Sequence, residues 1–294
     1  MSPDAIVHPH PPPAARVRLP ELPEAETIAR GLAPHLAGRT ISGVSVRRPD
    51  LLSEPAGAFA LGLNGARIDQ VGRRGKNVVW FCSRDTILVI NLGMTGRLLF
   101  HPRGDPTPLP VHTGVIFDLA GGDAAVYSDV RRFGRLQRFS GRSWRRWSRT
   151  LGLEPLSRSF TARRLEVELA RSRSPIRSWL LDQRRVAGIG NIYANEALFL
   201  AGIHPAVPAR AIPATKVAPL HRSIRRVLRA AIAACGTTLR DYRDPAGLEG
   251  SFGPRLVIYG REGQPCVKCP GVVLRTVIGN RSAFHCPRCQ PPPQ

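Results

Sequence analysis

Four cysteines near the end of the chain restrict its fold more than any other feature of the sequence. Cys266, Cys269, Cys286 and Cys289 form the pattern C-x2-C-x16-C-x2-C, which is typical of a zinc site. Each C-x2-C pair can turn sharply, so that four thiolates meet in a tetrahedron around one ion. Because protein ligands fill all four positions, we expect one structural Zn²⁺ and no metal-activated water.

Two disulfide bonds are the alternative interpretation of the same cysteines. Disulfides persist in oxidising compartments, and the first 18 residues lack the apolar core of a secretory signal peptide. The sequence therefore favours zinc. The two remaining cysteines, Cys82 and Cys235, are expected to be buried, inert thiols.

Positive charge extends along the whole chain. Its 294 residues include 43 Lys and Arg against 21 Asp and Glu, a formal net charge of +22. Such a field favours a polyanion, most often nucleic acid, and a basic solvated surface without a dedicated partner is the alternative. The longest apolar stretch, residues 86–94, is too short to cross a bilayer. We therefore expect a monomeric DNA-binding protein of the cytoplasm, associated with the nucleoid, with no membrane partner.

The segment between the two cysteine pairs predicts a β-hairpin. A β-branched run at 272–278 precedes Gly279 and Asn280, and a second short run covers 281–285. A Gly-Asn turn between two such runs is typical of a hairpin. Arg281 is then expected beside the tip of a rigid hairpin, where it can contact DNA.

Residue patterns divide the chain into four parts, and the predicted fold class is α+β with several domains. The first part is rich in Pro, His and Ala and predicts a disordered tail. The second begins with a helix ending near Gly38 and continues in short β-branched runs that predict a β-sandwich, while the third has helical periodicity. The boundaries of the parts are 1–18, 19–150, 151–255 and 256–294.

Individual elements are predicted within these parts. The predicted strands include 77–81, 86–90 and 115–119, and the predicted helices are 165–170, 176–181, 192–200 and 214–234. A loop rich in Gly and Pro, 242–254, separates the last helix from the cysteines.

Five further segments stand in a fixed order ahead of the cysteines. They are Leu19-Pro20-Glu21-Leu22-Pro23-Glu24, Arg73-Arg74-Gly75-Lys76, Asn91-Leu92-Gly93-Met94-Thr95-Gly96, Asp129-Val130-Arg131-Arg132-Phe133-Gly134 and Gly188-Ile189-Gly190-Asn191-Ile192-Tyr193. With the cysteine pattern they resemble the formamidopyrimidine-DNA glycosylase branch of the formamidopyrimidine glycosylase and endonuclease VIII family, over about residues 19–290. The resemblance implies an N-terminal β-sandwich with a leading helix, a helix–two-turn–helix domain and a C-terminal zinc ribbon.

The same resemblance implies catalytic roles for residues near the start. Pro20 matches a proline whose N-terminal secondary amine attacks C1′ of a damaged nucleotide, and Glu21 matches the general acid. Lys76 matches a lysine at the phosphate beside the lesion, and Glu24 an acidic position that supports the site. An N-terminal amine has a pKa near 7.7–8, against about 10.4 for lysine, so more of it is neutral and nucleophilic at pH 7.

One departure from the family concerns the nucleophile. Pro20 is not the first residue of the sequence, and an amide nitrogen inside a chain cannot attack C1′. Because Leu19 stands where the family has its initiator methionine, we expect translation to start at codon 19, so that residues 1–18 are not part of the natural protein.

Other residues are implied to contact DNA. Met94, Arg131 and Phe133 match three side chains that fill the gap left by an everted nucleotide, where an apolar wedge and a planar guanidinium replace lost stacking and pairing. Arg132 and Asn191 are expected at phosphates.

Two assignments rest on a looser match. Arg173 lies where the family commonly has a phosphate-binding lysine, and His112 lies in a basic segment. Leu109 replaces a lysine expected in that segment, so the contacts there are expected to be weaker or rearranged.

Three functions follow as hypotheses. The leading one is excision of oxidised purines, such as 8-oxoguanine and formamidopyrimidines, from duplex DNA through a Schiff base on Pro20 and β,δ-elimination. The first alternative is an endonuclease VIII-like preference for oxidised pyrimidines. The second is a non-catalytic lesion- or DNA-binding protein in which Pro20 is blocked.

Overall fold

The computed structural model describes residues 20–237 and 250–293. The predicted tail, 1–18, and most of the predicted loop at 242–254 lie outside these ranges. Within them, no helix combines the length and apolar character needed to span a bilayer.

Helix α1 (Leu22–Leu36) begins and ends as predicted. Pro23 occupies its first turn, and Ile28 and Leu32 lie on its buried face. Gly38 follows with φ +84°, a left-handed conformation that glycine adopts without the steric cost of a Cβ. The helix therefore ends next to a glycine, which can adopt the left-handed conformation that follows a helix C-terminus.

Eight strands form the predicted β-sandwich. They are β1 (Ile41–Val46), β2 (Ile68–Arg74), β3 (Asn77–Cys82), β4 (Thr86–Asn91), β5 (Gly96–His101), β6 (Thr113–Leu119), β7 (Ala124–Asp129) and β8 (Arg135–Ser140). One antiparallel sheet has the order β1-β6-β7-β5 and the other β2-β3-β4-β8. Trp80 and Phe117 meet edge-on in the core, with ring centroids 4.9 Å apart.

Strand register brings three connections to the same end of the sandwich, where the strands stop; this end is here called the loop edge. Asn77 pairs with Asn91, and Asn91 pairs with Arg135. In the other sheet Gly96 pairs with Asp129. The β2–β3 turn and the β4–β5 and β7–β8 connections therefore all leave the sandwich at this edge.

Two helices in the sandwich part are absent from the sequence-based prediction, α2 (Ala56–Leu63) and α3 (Gly141–Thr150). Helix α3 lies on the outer face of the β2-β3-β4-β8 sheet. There Trp144 meets Phe81 at 5.7 Å and Trp147 meets Phe139 at 5.4 Å between ring centroids. Two tryptophans among four arginines give too sparse an apolar pattern to predict this helix.

The four helices predicted after residue 151 are present. They are α4 (Ala162–Ala170), α5 (Ile176–Leu181), α6 (Asn191–Ala201) and α7 (Ala214–Ala233). Helix α6 is buried on nearly all sides and packs against α7. It therefore forms the centre of a second hydrophobic core.

The predicted hairpin is also present, as β9 (Leu274–Ile278) and β10 (Arg281–His285). Its turn residues Gly279 and Asn280 both have positive φ, the combination that a type I′ hairpin turn requires. Phe284 packs in the same core as α6, so the hairpin is fixed to the helical part of the molecule.

The prediction that both isolated cysteines are buried is wrong for Cys235. Cys82 is buried, whereas Cys235 is exposed. Helix α7 ends two residues earlier, and Cys235 adopts φ +54° in the following turn, which takes its side chain away from the core.

Candidate active site

The carboxylate of Glu21 lies at the N-terminus of α6. It accepts hydrogen bonds from the backbone N–H groups of Gly190 and Ile192, both at 2.8 Å. A side chain on Gly190 would collide with this carboxylate, since a Cβ there would lie 2.4 Å from Glu21 Cδ. Glycine is therefore required for the approach, and the free N–H groups at a helix start suit an acidic partner.

Glu24 forms a second buried carboxylate next to the first. Its Oε2 accepts the N–H of Glu21 at 2.9 Å. Its Oε1 accepts the hydroxyl of Tyr193 at 2.5 Å and the N–H of Thr237 at 2.8 Å. Glu24 thus joins the start of α1 to α6 and to the segment after α7.

Burial changes the protonation of these two acids. Loss of water around the side chain, followed by repulsion from Glu24, raises the pKa of Glu21 to about 8. The N–H groups of Ile192 and Tyr193 oppose the rise without cancelling it. Burial likewise raises the pKa of Glu24. At neutral pH Glu21 therefore retains a proton that it can give to a reacting group.

Lys76 lies in the β2–β3 turn, close enough to Glu21 for their charges to interact. Burial lowers the pKa of its ammonium group, and Arg281 lowers it further, while Glu21 opposes both. The turn is fixed by Glu154, whose Oε1 accepts the N–H of Gly75 at 2.6 Å. Pro20, also buried, directly precedes Glu21 and completes this group.

The arginines of the RRGK segment have structural partners. Arg73 forms ion pairs with Glu26 at 2.8 Å and Glu154 at 2.9 Å, and Arg74 pairs with Glu154 at 2.9 Å. Arg74 also donates to the carbonyl oxygens of Leu151 and Gly152. Both arginines therefore tie the β2–β3 turn to the start of the helical part.

Met94, Arg131 and Phe133 stand on two loops at the loop edge. Phe133 is 54% exposed, and the Arg131 guanidinium lies over its ring at 4.8 Å from the centroid. Met94 is partly buried and follows Gly93, where a Cβ would come within 2.5 Å of the Phe133 backbone. The two loops are therefore in close contact.

Buried Asp129 holds these loops together. Its carboxylate accepts the hydroxyl of Thr95 at 2.5 Å and the N–H of Gly134 at 2.8 Å. Thr95 Oγ1 in turn accepts the N–H of Arg131 at 2.9 Å. One side chain thus fixes the β4–β5 and β7–β8 loops relative to each other.

Two other predicted contacts border these loops. Arg132 is exposed, has φ +56° and pairs with Asp50 at 3.4 Å. His112 is exposed directly before β6, and its carbonyl accepts the N–H of Asp129 at 3.1 Å.

Arg177, in α5, is a buried cation that the sequence reasoning missed. It is fully buried and donates to the carbonyls of Ile278 at 2.8 Å and Ser282 at 2.7 Å, on both sides of the hairpin turn. It also donates to Oδ1 of Asn191 at 2.5 Å. Burial, and then Arg281, lower its pKa to about 10, so it remains charged at neutral pH.

These contacts determine where Arg281 lies. Arg177 holds the hairpin tip against α5 and α6, and exposed Arg281 interacts electrostatically with both Arg177 and Lys76. The hairpin therefore presents Arg281 near Lys76 and Arg177. Arg173 is exposed between α4 and α5 and lies apart from this network.

The four cysteines after residue 260 form a candidate metal centre. All their sulfur atoms lie within 4.8 Å of one another. The Cys266–Cys289 and Cys269–Cys286 sulfur separations are 3.8 Å and 3.5 Å, far from the roughly 2.05 Å of a disulfide bond. Four thiolates at about 2.3 Å from a tetrahedral ion would have similar separations, so the group can bind a metal ion.

Sequence reasoning missed Arg177, Asp129 and Glu154. The only local signal for Arg177 is a cation within the apolar run Ile176–Leu181. Asp129 begins the segment 129–134, which the resemblance matched without giving this residue a role. Glu154 has no local signal, because its partners Arg73, Arg74 and Gly75 are 79 to 81 residues away.

Family models and individual relatives match this chain over nearly its whole length and indicate the same family. The family model for the formamidopyrimidine-DNA glycosylase N-terminal domain matches residues 19–136, and that for the H2TH domain matches residues 151–243. A formamidopyrimidine-DNA glycosylase of Chloroflexus aggregans is 42% identical over 274 residues, 92% of this chain and 98% of the relative. One of Paracoccus denitrificans is 42% identical over 280 residues, 92% of this chain and all of the relative.

Solved structures of Lactococcus lactis FPG have the same fold. A mutant of that protein bound to DNA containing Fapy-dG has a TM-score of 0.86 at 30% identity, covering 93% of this chain and 100% of the other. A complex with DNA containing an abasic site has a TM-score of 0.85 at 29% identity, with 92% and 100% coverage. Another contains an oxidised pyrimidine, with a TM-score of 0.84 at 29% identity and 93% and 100% coverage.

Proposed function

Because the chain belongs to the formamidopyrimidine-DNA glycosylase family, we propose that it excises oxidised purines from duplex DNA and then cleaves the abasic site. The related Lactococcus protein is bound to Fapy-dG DNA and to abasic DNA, which supports both steps. The observation that carries the proposal is buried Glu21, with a pKa of about 8, directly after Pro20.

The proposed reaction begins at Pro20. Its secondary amine attacks C1′ of the damaged nucleotide and displaces the base, while Glu21 protonates the ring oxygen as the sugar opens. The resulting iminium is an electron sink that favours elimination of the 3′ phosphate and then the 5′ phosphate. Lys76, beside Glu21, is proposed to bind phosphate. Glu24 is proposed to keep Glu21 in position, since its carboxylate accepts the backbone N–H of Glu21.

This chemistry requires Pro20 to be the N-terminal residue. We propose that the functional protein begins there, after removal of an initiator residue at position 19. The match of the family model from residue 19 supports this start. Mass measurement of the protein from its native source tests it, and an intact Met1 terminus would contradict it.

DNA is proposed to lie along the loop edge and the hairpin. Exposed Arg131 and Phe133, already stacked on each other, suit insertion into the gap left by an everted nucleotide, with Met94 beside them. Arg132, Asn191, Arg173, His112 and Arg281 are the proposed phosphate and backbone contacts. The ion pair between Arg132 and Asp50 must then open when a phosphate replaces Asp50.

One structural Zn²⁺ is proposed at Cys266, Cys269, Cys286 and Cys289. The ion would supply no reacting group, since the thiolates fill its coordination shell. Its proposed role is to fix the segments that flank β9 and β10 and so keep the hairpin tip in place.

The proposed domains keep the boundaries 19–150, 151–255 and 256–294. Separate hydrophobic cores in the sandwich and in the helical part support the first boundary. Val273 and Phe284 share the helical core, so the third domain is proposed to depend on the second for its folding.

Parallel cleavage of duplexes containing 8-oxoguanine and thymine glycol tests the proposed substrate. We expect faster excision of 8-oxoguanine. Preferred cleavage of thymine glycol would favour the oxidised-pyrimidine alternative, which the Lactococcus complex with an oxidised pyrimidine keeps open. The variant Pro20→Gly is expected to bind the lesion duplex but to lose most of its excision activity. If the natural protein cleaves neither duplex, the result would favour a non-catalytic DNA-binding protein.

A further inference from the structure

Helix α3 carries a cationic surface that the proposed active site does not use. Eight arginines and no acidic residue lie between Asp129 and Glu154. Four of them, Arg142, Arg145, Arg146 and Arg149, are exposed on α3, and among the described residues none of the four forms an ion pair with an acidic side chain within 4.0 Å. This concentration of unpaired charge creates a strong local positive potential.

The helix that carries these charges is held firmly. Ser140 caps its N-terminus by accepting the N–H of Ser143. Trp144 and Trp147 pack on the sheet below, 5.3 Å apart between ring centroids. Because the two tryptophans fix one side of the helix, the arginines project from the other side as a defined surface.

The arginines have a spacing suited to a phosphate backbone. Arg142, Arg146 and Arg149 follow one another at i, i+4 and i+7 and therefore share one face. Four residues of helix span about 6 Å, so the three guanidinium groups form a row that can bind successive phosphates of a duplex. The strands beneath, β3, β4 and β8, contain no acidic residue.

The chain also contains a second row of exposed arginines, which serves as a comparison for this surface. Helix α7 carries Arg222, Arg226 and Arg229 with the same spacing and also exposed. It packs, however, against α4, which contains Glu166 and Glu168. Helix α4 also carries Arg163 and Arg164, so its own charges balance. No acidic side chain lies on the strands that α3 covers, and Asp85 accepts the N–H of Gly141 at the start of α3 at 3.1 Å.

We propose that Arg142, Arg146 and Arg149 form a second binding surface for the backbone of duplex DNA, outside the lesion site. The surface would hold a segment of undamaged duplex while another segment occupies the active site. Such binding would depend on charge and would not be sequence-specific, because contacts to phosphate do not distinguish one base from another. It does not depend on the chemistry proposed for Pro20.

Binding of a second duplex to an occupied protein tests the proposal. A short duplex with an abasic-site analogue and one fluorophore saturates the lesion site, and an undamaged duplex with another fluorophore is then titrated in. We expect a second-duplex Kd in the micromolar range. With three phosphate contacts, the logarithm of the binding constant should fall with the logarithm of salt concentration at a slope of about 2.7. This corresponds to about a 40-fold loss of affinity between 50 and 200 mM salt.

Three matched variants decide the outcome. The α3 triple variant R142Q/R146Q/R149Q is expected to lose at least tenfold in second-duplex affinity and to keep its affinity for the short lesion duplex. The α7 triple variant R222Q/R226Q/R229Q is expected to remain within twofold of the natural protein. The charge-preserving R142K/R146K/R149K is expected to retain binding, which separates loss of charge from loss of folding.

Several results would overturn the proposal. Failure of the natural protein to bind a second duplex would do so, as would displacement of the first fluorophore by the second. An equal loss in the α3 and α7 variants would assign the effect to net charge alone. Loss of short-duplex affinity in the α3 glutamine variant, with retention in the lysine variant, would place these arginines in the lesion site.

Discussion

The side chain of Glu21 accepts a hydrogen bond from the backbone of Ile192, 171 residues further along the chain, at 2.8 Å. This contact joins the start of α1, which carries Pro20, to the first turn of α6. The packing around this contact removes Glu21 from water and so raises its pKa, while the hydrogen bond itself opposes that rise. The acid proposed for catalysis is therefore created by the packing of one domain on another.

Replacement of this acid should separate the two steps of the proposed reaction. Glu21→Gln cannot protonate the sugar ring, so single-turnover excision of 8-oxoguanine should fall by about 10²- to 10⁴-fold. Cleavage of a preformed abasic site should be affected much less, since its sugar already opens to an aldehyde. Glu166→Gln, at an exposed position of α4, is the control and should leave both rates unchanged. Equal losses in both steps for Glu21→Gln would contradict the assigned role.

The rate of excision should have a maximum near pH 8. The Pro20 amine must be neutral to attack, which limits the rate below the ordinary pKa of an N-terminal amine, about 7.7–8. Glu21 must be protonated, which limits the rate above its pKa of about 8. The alkaline decline should disappear in Glu21→Gln when its residual rate is measured over the same pH range. A decline of the same size in that variant would assign it to another group.

The free energy of unfolding should decrease as pH rises over the range set by the shifted pKa of Glu21. The pKa of Glu21 is raised from 4.5 to about 8 in the folded state. Between these values the folded protein keeps a proton that the unfolded chain has released, so the free energy of unfolding decreases as pH rises. Urea unfolding at pH 5, 6.5 and 8 measures this decrease. Glu21→Gln should show a smaller decrease, because its side chain stays neutral throughout.

Arg177 should be essential for the position of the hairpin. Arg177→Met leaves the carbonyls of Ile278 and Ser282 without their donor, which should cost about 3 kcal/mol in the free energy of unfolding. Affinity for duplex DNA should also fall, since the tip that carries Arg281 is released. Arg173→Met, at an exposed position four residues earlier, should change stability by no more than about 0.5 kcal/mol. Similar stability losses in the two variants would contradict the buried role of Arg177.

Metal removal should act on DNA binding through the same hairpin. The purified protein should contain one zinc ion per chain, and a strong chelator should remove it with loss of duplex affinity. Cys269→Ser should lose zinc and affinity, while Cys235→Ser, at an exposed cysteine, should keep both. Full duplex affinity in the zinc-free protein would show that the ion does not support the hairpin.

Local patterns were sufficient to predict much of the fold. Helix α1, the four helices after residue 151 and the hairpin at Gly279 and Asn280 all follow from periodicity and turn residues within short segments. Helix α3 could not be predicted, because its stability comes from Trp144 and Trp147 packing on strands that are distant in the sequence. Its own residues are mostly arginine and give little apolar signal.

The candidate site was less predictable than the fold. The resemblance assigned Pro20, Glu21 and Lys76 from short motifs. It gave no indication that Glu21 would accept N–H groups at the start of α6, nor that Arg177 would join α5 to backbone atoms 101 and 105 residues away. Such partners are chosen by the tertiary structure and leave no trace in local spacing.

The central claim is that Pro20 is the free N-terminal nucleophile. Borohydride trapping of the natural protein on 8-oxoguanine duplex, followed by proteolysis and mass spectrometry of the cross-linked peptide, tests it most directly. We expect one covalent adduct on the nitrogen of Pro20, in a peptide that begins with that residue. An adduct on Lys76, or no adduct together with residues still attached before Pro20, would contradict the claim.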